Sequence, residues 1–165
     1  MPESWETKRM RWAFSLFPAY RGTGAKVTYI DASYQELRIK IPLSWRTRNY
    51  VGTIYGGSMY GAVDPMYMLM LMKILGKDYV VWDKAATIRF RRPGKHTLFA
   101  TFVITDEDIA AIKAQIASQG ETDYFFRLEI KDAEGKVNAE VDKTIYAASK
   151  THYQQKLAQR KAKES

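Results

Sequence analysis

Residues 49–76 read NYVGTIYGGSMYGAVDPMYMLMLMKILG, and this stretch decides the fold. After its central glycine pair the sequence is apolar for about five helical turns, until Gly76 supplies a residue suited to end a helix. The pattern predicts a helix over residues 57–75. Because apolar side chains lie all round this helix, we expect it to be buried on nearly all sides. Pro65 removes one helical hydrogen bond and predicts a kink.

The sequence on both sides of this helix predicts β-strands joined by short turns. Apolar and polar residues alternate over residues 25–41, and a turn at 31–34 makes this segment a hairpin. The same alternation predicts four later strands, over residues 79–90, 97–105, 123–131 and 137–148. Ser4 is expected to cap a first helix, and Asp106 to cap a short helix between the later strands. Strands joined by hairpins pair antiparallel, so we predict an α+β fold with a largely antiparallel sheet wrapped around a long central helix.

Composition excludes several classes of protein. The 165 residues include no cysteine and only two histidines, which excludes disulfides and cysteine nucleophiles and argues against a metal site. We find no signal peptide and no apolar run of membrane-spanning length, so a cytoplasmic protein is expected. Residues 1–150 are interpreted as one domain. Residues 151–165 are interpreted as a basic tail, which carries part of the net charge of +8.

A motif in residues 49–64 resembles that of hotdog-fold thioesterases of the phenylacetyl-CoA type. Those enzymes have an Asn in a loop, a His-Gly-Gly at the start of a helix, and an Asp about two turns later. This sequence has Asn49, Tyr55-Gly56-Gly57 and Asp64 at the same spacings. It departs from the pattern at Tyr55, which stands in place of the His and marks a divergent branch.

The resemblance covers residues 10–148 and includes a strand that ends at Pro93. It implies a hotdog fold and an acyl-CoA thioesterase. It implies no cofactor, since coenzyme A is part of the substrate. It also implies a homodimer, or a homotetramer built as a dimer of dimers, because in such enzymes the Asp faces a substrate bound mainly against the neighbouring subunit.

Three residues of the motif have residue types that suit thioester hydrolysis. Gly56 and Gly57 would offer free N–H groups at a helix start to a developing oxyanion, although two glycines also ease a tight loop into a helix. Asp64 is the candidate nucleophile or general base. A lone carboxylate in so apolar a helix must find a partner, face a water-filled cavity or take up a proton. Its alternative role is to cap the kink at Pro65.

Three further side chains have two readings each. Asn49 positions water or the thioester, or else it forms an Asx turn in the loop. Tyr55 donates a hydrogen bond to the loop or the thioester, or else it marks altered or lost activity. Asp83 lies beside Asp64, where like charges would raise one pKa, or else it belongs to a turn at the end of a strand.

The densest basic group comprises Arg89, Arg91, Arg92 and Lys95. Arg91, Arg92 and Lys95 are the candidates to bind the phosphates of coenzyme A. The alternative is a strand edge protected by charge. The methionines of residues 59–72 are interpreted as core, with an adaptable wall for an acyl chain as their possible second role.

Three other functions remain open on sequence grounds. A non-catalytic acyl-CoA-binding hotdog protein fits the missing His. The net charge of +8 would suit a nucleic-acid-binding protein, but the sequence contains no recognised nucleic-acid-binding motif. No nucleic-acid partner is therefore predicted. A hotdog dehydratase would need a catalytic His, and the sequence has none before His96.

Overall fold

The computed structural model describes residues 1–164, and it consists of six helices and six strands. The helices are α1 (Trp5–Leu16), α2 (Pro18–Gly22), α3 (Gly56–Val63), α4 (Met66–Leu75), α5 (Asp106–Gln119) and α6 (Lys150–Glu164). The strands are β1 (Lys26–Ile30), β2 (Glu36–Ile41), β3 (Tyr79–Phe90), β4 (Leu98–Val103), β5 (Glu121–Lys131) and β6 (Val137–Ser149).

The strands form one antiparallel sheet in the order β1-β2-β4-β5-β6-β3. Alternate residues of the strands, such as Ile39, Phe102 and Val141, are fully buried and belong to the same core cluster as Met66 and Leu71 of α4. The predicted α+β class, with a sheet around a central helix, is therefore confirmed, and the fold is the hotdog fold.

The central helix is two helices rather than one kinked helix. α3 ends at Val63 with Asp64 as its C-cap, and α4 begins after Pro65. The proline has no N–H to donate, so the helical hydrogen bonds are interrupted there and resume when the N–H of Leu69 bonds to the carbonyl of Pro65. Gly76 ends α4 at a φ of 85°, in the role predicted for it.

Two details of the sequence prediction are wrong. Burial on nearly all sides does not hold in the single chain, because Met72 of α4 is 47% exposed. The cap of α5 is Thr105 and not Asp106, because the hydroxyl of Thr105 accepts from the N–H of Asp108. Ser4 caps α1 as predicted, in a reciprocal capping box with Thr7.

β3 is an edge strand, paired with β6 on one side only. Its register shifts between Asp83 and Ala85, so Lys84 is an extra residue in the strand. Beyond the shift, residues 84–87 are exposed, and so is Phe90 at the strand end. An exposed edge of this length is a surface on which another strand can pair.

Candidate active site

A cleft of about 450 Å³ opens at the start of α3. It brings together four of the residues predicted from the sequence, Asn49, Gly56, Arg91 and Arg92. Its other walls are apolar and are made by Ile54, Met59, Phe90 and Pro93. The volume lies within the range of small-molecule sites, and the mixture of apolar walls with a few polar groups is typical of them.

The first turn of α3 presents unpaired backbone donors at this cleft. Tyr55 is the N-cap in an extended conformation, and its side chain makes no capping bond. The N–H groups of Gly56 and Gly57 therefore have no acceptor within the helix, and they lie at the positive end of its dipole.

Each glycine lies against an exposed aromatic ring. A Cβ on Gly56 would lie 2.8 Å from Cζ of Phe90, and a Cβ on Gly57 would lie 2.3 Å from Cε1 of Tyr55. The Tyr55 ring thus packs on Gly57, although most of its surface is exposed. This contact places Tyr55 next to the helix start, where the resembling enzymes have His.

Asn49 orders the loop before the helix. Its Oδ1 accepts from the N–H of Thr53 at 2.9 Å, and its Nδ2 donates to the hydroxyl of Thr53 at 3.0 Å. The backbone bond reaches four residues along the chain and not the two of an Asx turn, so Asn49 orders the loop in a different way from the predicted turn. The residue still lines the cleft, so the contacts in the loop fix its position beside Gly56.

Asp64 lies elsewhere, in a network centred on a lysine. Nζ of Lys143 in β6 donates to Oδ1 of Asp64 at 2.8 Å and lies 2.6 Å from Oδ1 of Asp83. The hydroxyl of Tyr60 donates to the same Asp64 oxygen at 2.8 Å. The Lys143 side chain is 0% exposed, whereas that of Asp64 is 41% exposed. The carboxylate predicted to need a partner thus has one, and it also faces solvent.

Burial and charge set the acidities in this network. Burial raises the pKa of Asp83, and the neighbouring Asp64 carboxylate raises it further, against the opposing effect of Lys143. For Lys143, burial favours the neutral amine, but hydrogen bonds to the two carboxylates outweigh it and raise the pKa of the ammonium. The site therefore holds a firmly charged cation between two carboxyl groups.

The turn reading for Asp83 is wrong. Asp83 lies within β3, opposite Ile145 of β6, at the start of the register shift. Its carboxyl group and that of Asp64 both contact the same ammonium, which is the proximity that the other reading required.

The basic group divides between two environments. Arg89 pairs with Asp142 at 2.6 Å and Arg91 pairs with Glu140 at 2.9 Å, in cross-strand contacts between β3 and β6. Arg92 donates to the carbonyl of Val137 at 3.3 Å. Within residues 1–164, Lys95 makes no side-chain hydrogen bond or ion pair.

Six of the predicted site residues thus form two groups in one chain, whereas Tyr55, Gly57 and Lys95 are not among the walls of the cleft. Gly56 and Asp64 are eight residues apart along α3 and its C-cap, a rise of about 12 Å. The cleft contains no carboxylate, and the carboxylates of the Lys143 network are not among the cleft walls. A larger cleft of about 910 Å³ lies between β4 and β5, where only two residue pairs join the strands, and none of the predicted site residues lines it.

Residues 7–147 match the sequence model of a family described as a domain of unknown function, DUF4442. The chain belongs to the DUF4442 family. Among curated proteins, no sequence matches it.

Solved structures of hotdog proteins resemble this DUF4442 chain. A Pseudomonas aeruginosa protein of unknown function, named a "Probable Thioesterase", is 20% identical over 90% of this chain and 98% of its own, with a TM-score of 0.76. A Haemophilus influenzae thioesterase is 12% identical over 89% of this chain and 93% of its own, with a TM-score of 0.64. Mouse thioesterase superfamily member 2 is 17% identical over 87% of this chain and 98% of its own, with a TM-score of 0.63. At these identities the likeness shows the fold.

The described part of the DUF4442 chain has neither a metal-binding cluster nor a membrane-spanning helix. Over residues 1–164, no three His, Asp or Glu side chains are placed to hold a metal ion together. None of the helices described is both long and apolar enough to cross a membrane.

Lys143 is the residue of this DUF4442 site that sequence reasoning missed. Its signal lies in β6, where inward-facing positions alternate as Val141, Lys143 and Ile145. A lysine in the buried phase of a strand needs a carboxylate partner, because an unpaired buried charge is costly. The need of a buried lysine for a carboxylate partner therefore matches the need of Asp64 for a partner of its own.

Proposed function

We propose that this DUF4442 protein is an acyl-CoA thioesterase, which hydrolyses a thioester to a carboxylic acid and free coenzyme A. The observation that carries the proposal is the cleft at the start of α3, where Gly56, the first residue of the helix, lies beside Asn49 and two arginines. No cofactor is needed for this reaction, and we place the enzyme in the cytoplasm.

In this proposal the helix start stabilises the developing negative charge. The thioester carbonyl oxygen accepts hydrogen bonds from the N–H groups of Gly56 and Gly57 as the carbonyl carbon becomes tetrahedral. Asp64 either removes a proton from an attacking water or attacks the carbon itself. The C–S bond then breaks, the sulfur of coenzyme A takes up a proton, and water supplies the hydroxyl group of the acid.

Lys143 is a positioning residue in this reaction. Its ammonium holds one oxygen of Asp64, together with the hydroxyl of Tyr60, and leaves the other carboxylate oxygen free toward the solvent-exposed side. Asp83 holds the ammonium from the other side. A carboxylate so restrained loses little freedom when it acts.

A homodimer completes the site in this proposal. The two groups of residues are about 12 Å apart within one chain, too far to act on one thioester. The exposed edge of β3 offers a surface for pairing with a second copy, which would bring Asp64 of one subunit toward the cleft of the other. Exposed apolar residues around the cleft, Tyr50, Val51 and Phe90, would be covered in the same step. A dimer of dimers is the larger assembly that we propose.

Binding of coenzyme A is assigned to basic residues at the cleft and next to it along the chain. Arg92, a wall of the cleft, and Lys95, three residues further on, have no carboxylate partner within the described residues, so their charges are available to phosphates. Arg91 shares its charge with Glu140 and contributes less.

A second candidate function is acyl-CoA binding without turnover. It is favoured by Tyr55, whose ring lies against Gly57 in place of the His of the resembling enzymes. A ring in this position covers part of the helix start, which would allow binding but weaken the contact with an oxyanion.

Turnover of acyl-CoAs tests the proposal. Purified protein is incubated with short, long and aromatic acyl-CoAs, and released thiol is followed with a chromogenic disulfide reagent, to which a protein without cysteine contributes no background. We expect Asp64→Asn to lower kcat by at least ~100-fold, the usual effect of removing a general base. Asp78→Asn is the matched control, because Asp78 is exposed and remote from the network.

The outcomes separate the two candidate functions. Turnover that is lost in Asp64→Asn and kept in Asp78→Asn supports a thioesterase. If no acyl-CoA is hydrolysed but acyl-CoA raises the Tm, the binding protein is correct. If neither turnover nor a Tm shift occurs, both candidates are wrong.

A further inference from the structure

The N-terminal helix α1 is apolar on two opposite faces. Thr7 and Phe14 are buried on the inner face. Trp5, Trp12 and Leu16 have the spacing i, i+7 and i+11 and form a second stripe that points outward. An ordinary surface helix has polar residues on its outer face, so this second stripe is not explained by the core.

The outward stripe continues into neighbouring segments. We define the aromatic surface as the outward residues Trp5, Trp12, Leu16, Phe17 and Trp45, each between 61% and 82% exposed. Leu16 and Trp45 line one shallow cleft with Arg21 and Arg46, which shows that the loop residue and the helix are adjacent. Large exposed apolar patches mark binding surfaces in proteins.

Most charges around the aromatic surface are positive. Residues 7–30 and 37–63 contain nine Lys or Arg and no Asp or Glu. Two arginines lie over the exposed rings, with Arg9 at 4.8 Å from the Trp5 ring centre and Arg46 at 5.0 Å from that of Trp45. The two carboxylates near its N-terminal end are paired with cations, Glu3 with Arg11 and Glu6 with Lys73.

We propose that the aromatic surface binds the surface of an anionic lipid bilayer. Exposed Trp, Phe and Leu together with Lys and Arg are the composition of helices that lie in the membrane interface. Tryptophan rings enter the headgroup region, and arginines bind lipid phosphates. The cleft that Trp45 shares with Arg21, Lys26 and Arg46 offers a place for one phosphate group. The proposal places the protein on the surface of the bilayer, and none of the described helices is both long and apolar enough to span it.

Vesicle cosedimentation tests this proposal independently of any enzymatic activity. The full-length protein is mixed with large vesicles, either of phosphatidylcholine alone or of equal parts phosphatidylcholine and phosphatidylglycerol. We expect binding to the anionic vesicles, weakened by salt, and at least ~tenfold weaker binding to the neutral ones. Quenching of tryptophan fluorescence by brominated lipid reports whether the rings enter the bilayer.

Matched variants separate the rings from the general positive charge. The double variant Trp12→Ser/Trp45→Ser is expected to lose ~tenfold or more in vesicle affinity, whereas Phe125→Ser, an equally exposed ring on β5, leaves it unchanged. Arg46→Gln is expected to weaken binding by about fivefold, and Lys113→Gln on the distant helix α5 is not. Circular dichroism checks that each variant is folded.

Three results would overturn the proposal. The first is absence of binding to anionic vesicles. The second is binding that the double tryptophan variant leaves unchanged, since charge alone would then suffice. The third is an effect of that variant on self-association, on binding to an acidic peptide or on binding to an oligonucleotide, with vesicle binding unaffected, because the surface would then serve a macromolecular partner.

Discussion

Lys143 donates a hydrogen bond of 2.8 Å to the carboxylate of Asp64, which is 79 residues away in the sequence. The bond links β6, the last strand along the chain, to the break between the two central helices α3 and α4. A cation with no exposed surface holds a carboxylate that is partly open to solvent. The polar network therefore has a structural role in the fold and a candidate role in catalysis, and the two roles can be tested separately.

Replacing Lys143 by methionine is expected to destabilise the fold by about 3 kcal/mol, because two carboxylates would lose their common cation. This loss is at the lower end of the range for removing one partner of a buried ion pair, because water partly screens the Asp64 carboxylate. Lys131→Met, which breaks an exposed pair with Glu129, should cost no more than ~1 kcal/mol. Urea unfolding measures both values. The triple variant Lys143→Met/Asp64→Asn/Asp83→Asn should recover most of the loss, and equal losses in the two single variants would contradict the ion-pair interpretation.

The loss in Lys143→Met should depend on pH in a defined direction. The pKa of Asp83 is raised in the folded protein, so the folded state binds a proton at this carboxyl group more tightly than the unfolded chain does. Removing the ammonium strengthens this preference. The variant should therefore regain stability relative to wild type as the pH falls from neutral through the raised pKa of Asp83. Unfolding free energies of both proteins across that range provide the measurement. A difference that grows on acidification would show that Asp83 is not the destabilising group.

The sequence predicted the elements that local patterns determine. The proline at position 65 interrupts a helix wherever that helix packs, and the alternation in residues 25–41 produces a hairpin with its turn at the predicted place. The choice between Thr105 and Asp106 as cap was wrong because both residue types cap helices, and only the three-dimensional hydrogen bond to Asp108 distinguishes them.

The candidate site was predictable only in part. Asn49 and Gly56 share a cleft because few residues separate them along the chain. The contact of Asp64 with Lys143 depends on how the central helices pack against β6, which no local pattern determines. The sequence left two readings open for Asp83 because its contact with Lys143 depends on the pairing of β3 with β6.

Two glycines with almost the same backbone conformation test how α6 packs on the sheet. Gly120 and Gly135 have φ values of 83° and 80°, so alanine at either position costs about 1–2 kcal/mol of backbone strain. A Cβ on Gly120 would also lie 2.2 Å from Nδ1 of His152 in α6, whereas that on Gly135 meets open space. Gly120→Ala should therefore lower the Tm more than Gly135→Ala. Adding His152→Ala to Gly120→Ala should remove the difference, and no recovery in that double variant would exclude the contact with His152 as its cause.

Acidification should release the contact between α6 and the sheet through Glu121. This carboxylate accepts from Nζ of Lys156 at 2.7 Å and from the hydroxyl of Tyr146, and these bonds hold its pKa below the usual value. A lowered pKa in the folded state contributes stability above the unfolded pKa of about 4.3, and this contribution disappears as the pH falls through the lower folded value. Wild type should thus lose stability between about pH 5 and pH 3 more steeply than Glu121→Gln.

Glu107→Gln is the matched control for this measurement, because Glu107 is exposed at the start of α5 and makes no ion pair within residues 1–164. It should keep the wild-type slope of unfolding free energy against pH.

The fluorescence of Trp82 reports directly whether α6 stays on the sheet, because the ring of Tyr153 in α6 lies 5.0 Å from that of Trp82. The measurement uses a protein without the other three tryptophans. A change of that fluorescence below about pH 4, present in wild type and absent in Glu121→Gln, would identify release of α6 as the acid-sensitive step. The same slope in all three proteins would assign acid sensitivity to other carboxylates, of which Asp142, with its pKa lowered to about 2 by Arg127 and Arg89, is the strongest candidate.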